Sequence, residues 1–171
     1  TAADYIAYAG AGKMSSAGAD MKTSGIGGNG GNITITAGKY IHGSTDEWKS
    51  SGGKGSTLGG SAGVISITGT SEEVKIPGKM SAVGGDITTG AGLNGGNITI
   101  SAGTYINGPN ASEWKSTGGK GSTINGNAGN ISLTAPTGIT LVTGSKLTAI
   151  AGTGTSGDVT VNDGNAAVTT G

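Results

Sequence analysis

One short phrase returns five times in this chain: a glycine, usually a polar residue, then apolar–Ser/Thr–apolar. It reads Gly31-Asn32-Ile33-Thr34-Ile35, Gly63-Val64-Ile65-Ser66-Ile67, Gly96-Asn97-Ile98-Thr99-Ile100, Gly129-Asn130-Ile131-Ser132-Leu133 and Gly157-Asp158-Val159-Thr160-Val161. The starts are 32, 33, 33 and 28 residues apart. A fixed period in this range marks a repeat architecture, in which one unit cannot bury its apolar face alone and stacking buries it. Within each phrase the alternation is that of a strand with one face buried.

Further columns run in register with the first. A second short apolar strand follows each phrase at Tyr40-Ile41, Val74-Lys75-Ile76, Tyr105-Ile106 and Ile139-Thr140-Leu141, with Tyr5-Ile6 as an earlier copy. A third begins at Met14, Trp48, Met80, Trp114 and Leu147, each beside a lysine, at spacings of 34, 32, 34 and 33. A glycine-rich return comes next, as in Gly52-Gly53-Lys54-Gly55-Ser56-Thr57. Asn29–Thr57 closely resembles Asn94–Thr123, so a longer period near 66 lies on top, with coils of two alternating flavours. Three parallel strands per coil, stacked about 4.8 Å apart, make an all-β parallel β-helix. Parallel crossovers are right-handed in about 98% of cases, so the expected solenoid is right-handed. Its five coils of about 33 residues give a rod roughly 25 Å long. The inward columns are Ile33/Ile65/Ile98/Ile131/Val159 and Ile35/Ile67/Ile100/Leu133/Val161.

The chain reads as a single domain over 1–171, with a partial first coil over 1–28, regular coils over 29–162 and an irregular tail over 163–171. Terminal coils of a solenoid expose strand edges, and neither an amphipathic helix nor a polar cap is evident at either end. With Thr1 in place of an initiator methionine, the expectation is a segment of a longer solenoid, or one capped by self-association or by neighbouring subunits.

Composition narrows the function classes. Glycine numbers 38, yet there are only three prolines and no Gly-X-Y period, which excludes collagen. The net charge is zero, against the high charge typical of disorder. All ten basic residues are lysine, so the electrostatic footprint of a nucleic-acid binder is missing. Cysteine is absent, which removes disulfides and thiolate metal sites. No apolar run approaches the roughly 20 residues of a membrane helix, so membrane insertion is not expected.

The candidate sites each have a simpler reading. Trp48 and Trp114 share a column with Met14, Met80 and Leu147, and a position that accepts all three residue types is a buried one. Asn32, Asn97, Asn130 and Asp158 precede the first strand of their coils and suggest a ladder of side chains bonded to one another, as in cross-β stacks; Val64 interrupts it. Asn32, Asn97, Asn110 and Asn130 each open a glycosylation sequon, three of which are simply repeat grammar. The outward residues around Thr34 and Thr99 form a flat hydroxyl array suited to ice or crystalline polysaccharide, although Ser and Thr are also ordinary solvent-facing strand residues. His42 has no carboxylate or thiol at ligand spacing, and its counterpart Asn107 suggests a surface turn. Glu72-Glu73 point to opposite faces if in a strand. Asp163-Gly164-Asn165 is too short for a calcium loop, and the Gly52–Thr57 run lacks phosphate-loop spacing. No catalytic, cofactor or metal residue stands out.

At Gly30-Gly31-Asn32-Ile33-Thr34-Ile35-Thr36-Ala37, at Gly129-Asn130-Ile131-Ser132-Leu133-Thr134-Ala135, and from Gly138 to Val161 the chain resembles filamentous-haemagglutinin-type adhesin repeats of two-partner secretion. That resemblance implies a right-handed β-helix shaft, export, and an adhesive or scaffolding role. Glycine-rich phage-fibre and virion solenoids share the grammar. The expected protein is thus a structural or adhesive module located extracellularly, on a cell surface or on a virion surface, without enzymatic activity. A host-surface glycan or protein is the expected partner. The polar loops supply the candidate ligand-binding residues Asp46, Glu47, Asn110 and Glu113, because function on solenoids often sits on per-coil insertions. Thr34 and Thr99 supply the alternative.

Overall fold

The computed structural model describes residues 4–7, 13–21, 25–43, 47–76, 78–108, 112–164 and 169–170. The chain winds through three sheets in turn. The first rung comprises β1 (Tyr5–Ala7), β2 (Lys13–Ala17) and β3 (Ile33–Ala37). The second comprises β4 (Tyr40–His42), β5 (Glu47–Ser51) and β6 (Ile65–Gly69). The third comprises β7 (Val74–Lys75), β8 (Lys79–Val83) and β9 (Ile98–Ala102). The fourth comprises β10 (Tyr105–Gly108), β11 (Glu113–Thr117) and β12 (Ile131–Thr134). The fifth comprises β13 (Gly138–Leu141), β14 (Lys146–Ala149) and β15 (Val159–Asn162). Finally β16 (Thr169–Thr170) joins the first sheet and opens a sixth rung inside the expected irregular tail.

Every pairing is parallel and joins equivalent positions of successive rungs. Sheet 1 is β1-β4-β7-β10-β13-β16, sheet 2 is β2-β5-β8-β11-β14, and sheet 3 is β3-β6-β9-β12-β15. The architecture is a parallel β-solenoid with three strands per rung and four full turns between the first and fifth rungs.

Both Ile columns form as the alternation requires. In sheet 3, Ile33, Ile65, Ile98, Ile131 and Val159 are successive Cα partners. In sheet 2, Met14, Trp48, Met80, Trp114 and Leu147 stack likewise. Ile41, Val74, Ile106 and Ile139 line sheet 1. β-branched side chains suit such stacking because they pack well on a pleated surface. Trp48 and Trp114 are 1% and 0% exposed and belong to this core, as their column-mates suggest.

The glycine-rich return is a pinched loop with two arms. In the second rung Gly60 N–H donates to the Gly53 carbonyl at 2.9 Å and closes the neck. Gly53 N–H in turn donates to Gly28 of the rung below (2.8 Å), and Gly85 N–H of the rung above donates to Gly60 (2.7 Å). A zigzag of backbone hydrogen bonds therefore climbs the inside of this corner. Close approach makes glycine obligatory there: a Cβ on Gly52 would run into the carbonyl of Gly60, and one on Gly118 into that of Gly126. The demand is for space more than for unusual dihedrals.

Candidate functional site

A solenoid presents its outward residues as columns, so each face has its own chemistry. On sheet 3, Thr34, Ser66, Thr99, Ser132 and Thr160 are in register, as are Thr36, Thr68, Ser101, Thr134 and Asn162. Thr34 and Thr99 are exposed, two rungs apart, in the expected hydroxyl array.

Sheet 2 is charged. Lys13, Glu47, Lys79, Glu113 and Lys146 are successive partners in one column. Lys13 Nζ lies 3.4 Å from Glu47 Oε2. Glu47 and Glu113 were candidates for ligand binding; they stand two rungs apart with Lys79 between them, as members of an alternating charge ladder. Asp46 and Asn110 lie outside the described residues. The four candidates that can be placed thus fall on two different faces and form no common site.

Sheet 1 carries tyrosine and histidine rings on its outer side. Tyr5 and Tyr40 pair across the first two rungs with ring centroids 4.7 Å apart, nearly edge-on. His42, in β4 and not in a turn, packs against Tyr40 at 5.1 Å and lies 3.8 Å from the Glu73 carboxylate. Glu73 reaches it from the rung above, a neighbour that sequence spacing could not reveal. Further along, the Tyr105 hydroxyl donates to Thr140 Oγ1.

The pinched loop adds a fourth surface. Ile26, Leu58, Ala91 and Ile124 occupy one repeat position in four successive rungs. Ile26 pairs with Leu58, and Ala91 with Ile124, through parallel bridges. Ile26 is 63% exposed, Leu58 40% and Ile124 45%. Contiguous exposed apolar patches mark contact surfaces, and these residues place aliphatic side chains at one repeat position of the loop. Its signal was present in the sequence as Gly-Ile-Gly, Thr-Leu-Gly, Gly-Ala-Gly and Thr-Ile-Asn with centres 32, 33 and 33 residues apart, but glycine richness masked it. Beside the loop, Asp20, Lys49, Lys54 and Asp86 border an open groove of about 570 Å³ that is also lined by Ala17, Val83 and several glycines.

The Asn column works differently from the expected ladder. Asn32 Oδ1 accepts the Val64 N–H at 2.9 Å, Asn97 that of Asn130 at 2.8 Å, and Asn130 that of Asp158 at 3.0 Å. Each amide thus holds the backbone of the next rung, not its side chain. This explains why Val64 is tolerated: a backbone donor is present whatever the side chain. A second column repeats the device through Asn29, Asn94 and Asn127. Among the described residues, no three His, Asp or Glu side chains gather to hold a metal ion. No family model, no curated protein and no solved structure matches this chain, so the adhesin resemblance rests on repeat grammar alone.

Proposed function

We propose that this chain is a non-enzymatic structural and adhesive β-solenoid, a shaft or attachment module displayed on a cell or virion surface. The observation that carries the reading is the set of exposed aliphatic side chains at one repeat position of the glycine loop, Ile26 bridged to Leu58 and Ala91 to Ile124, on the outside of a rod with a buried apolar core. The hydroxyl, charged and aliphatic columns that repeat from rung to rung suit contact along a face. The reading predicts that antibodies to the purified chain label intact producing cells or virions, and that Leu58→Glu with Ile124→Glu abolishes attachment to the target surface while the circular dichroism stays native. Labelling only after permeabilisation, or attachment indifferent to these substitutions, would defeat it.

A second reading follows from the hydroxyl columns of sheet 3, which suit a repetitive ligand such as ice or crystalline polysaccharide. Thermal hysteresis lost in Thr34→Tyr with Thr99→Tyr supports it, and no hysteresis at high protein concentration removes the ice form of this reading.

A further inference from the structure

Both carboxylates of the sheet 2 strands, Glu47 and Glu113, lie in the column of Lys13, Lys79 and Lys146. Two residues further along each strand runs a second outward column: Ser15, Lys49, Ser81, Lys115 and Thr148. It holds no acid. Lys49 and Lys115 are exposed, and among the described residues neither enters an ion pair. Five lysines against two glutamates give this face a net charge of +3 in a chain whose net charge is zero. Lys49 and Lys115 stand two rungs apart, roughly 10 Å at the usual strand spacing, and Ser81 is the Cα partner of both. The open groove beside the glycine loop takes Lys49, Ser51 and Ser81 into its wall. On its other bank Lys54 Nζ is 4.0 Å from Asp86 Oδ2, so the uncompensated positive charge lies on the sheet 2 side.

We propose that the Lys49–Ser81–Lys115 column binds a linear acidic polysaccharide laid along the rod axis, with a carboxylate on every second sugar. Charge complementarity sets the sign of the partner, and the width of the column selects a thread over a surface. The acid-free column is one residue wide and Glu47 and Glu113 flank it, so a broad anionic bilayer would press its headgroups onto those carboxylates. Spacing fits a sugar chain. One pyranose of an extended chain is close to the strand spacing in length, so carboxylates on alternate sugars meet Lys49 and Lys115 while a hydroxylated ring lies over Ser81. Each ammonium is a flexible triple donor, and the serine hydroxyl both donates and accepts. The outward residues of sheet 2 include no aromatic ring on which nucleic-acid bases could stack. This site is separate from the aliphatic side chains of the glycine loop, and its test does not depend on them.

Hyaluronan, which carries one carboxylate per disaccharide, is the probe. The full chain is expected to bind fluorescently labelled hyaluronan oligosaccharides saturably at low salt and to release them in 1 M salt, where the screening length falls to about 3 Å. Lys49→Ser with Lys115→Ser places in both rungs the residue type that Ser15 and Ser81 already show in this column. It should weaken binding about tenfold while the circular dichroism stays native. Lys49→Arg with Lys115→Arg should retain binding. Lys39→Ser with Lys75→Ser removes the same charge from the sheet 1 side and should leave binding near its original strength. Absence of saturable binding, an equal loss in the Lys39 and Lys75 pair, or capture of single-stranded DNA or anionic lipid vesicles as tight as that of hyaluronan overturns the proposal.

Discussion

At the residue scale, the core columns concentrate stability in a few side chains. Trp114 is fully buried between Met80 and Leu147, so Trp114→Ala should cost about 3–5 kcal/mol in denaturant unfolding. Leu147→Ala, at a half-buried position of the fifth rung, should cost clearly less. Equal costs would mean that the column is not graded by depth. Ser116 is a sharper case. Its hydroxyl donates to the Gly96 carbonyl at 2.8 Å and accepts the Gly129 N–H at 2.8 Å, tying sheet 2 to the starts of two sheet 3 strands. Ser50 repeats the arrangement with Gly31 and Gly63. Ser116→Ala should cost about 1–3 kcal/mol by stranding those backbone groups, although Ala82 and Ala149 occupy the same column naturally. A neutral Ser116→Ala in the same unfolding assay would remove this hydroxyl from the list of structural ties. The buried Ile and Trp positions were legible in the sequence because alternation and residue type both point inward. The serine bridges were not, because a hydroxyl at an inward position carries no mark of which backbone it will reach.

At the scale of the strand and its neighbours, sheet 2 alternates in charge from rung to rung, with Lys13 and Glu47 in an ion pair at 3.4 Å. Near-identical repeats invite mispairing, and a slip by one rung would put like charges in contact all along sheet 2. Glu113→Lys sets three lysines in a row with Lys79 and Lys146. It should lower stability by about 1 kcal/mol at low salt and recover most of that in 1 M salt, where the screening length falls to about 3 Å. Lys115→Glu sits in the parallel column between Ser81 and Thr148 and should change little. A salt-independent loss in Glu113→Lys would show that packing and not charge is responsible. The period near 66 was visible in the sequence, but its meaning was not. Glu47 and Glu113 read as ligand residues on irregular loops because their partners, Lys13, Lys79 and Lys146, lie a full turn away. The contact between His42 and Glu73 was hidden for the same reason. The glycine returns read as corners, and only the backbone hydrogen bonds reveal the pinched loop: Gly60 N–H donates to the Gly53 carbonyl within the rung, while Gly53 N–H donates to Gly28 and Gly85 N–H to Gly60 between rungs.

Across the whole molecule, a solenoid's stability is a sum of rung and nearest-neighbour terms, so local opening follows the number of neighbours a rung has. In sheet 3, Ile65, Ile98 and Ile131 are all 0% exposed, Ile33 is 8% exposed and Val159 44%. The first and fifth rungs, whose β1, β2 and β15 contain no buried residue, should therefore open before the third. Native-state hydrogen exchange should show β1, β2, β14 and β15 exchanging fastest, β8 and β9 slowest, with about tenfold in rate for each 1.4 kcal/mol between them. Trp114→Ala sharpens the test, because it weakens the interfaces on both sides of the fourth rung. Protection should fall in β11, β12, β14 and β15 together and stay near its original level in β5 and β6. If one change at Trp114 instead lowered protection evenly from β2 to β15, the rod would be a single cooperative block. The rung-by-rung energetics that underlie an ordered opening of the coils would then not apply to this molecule.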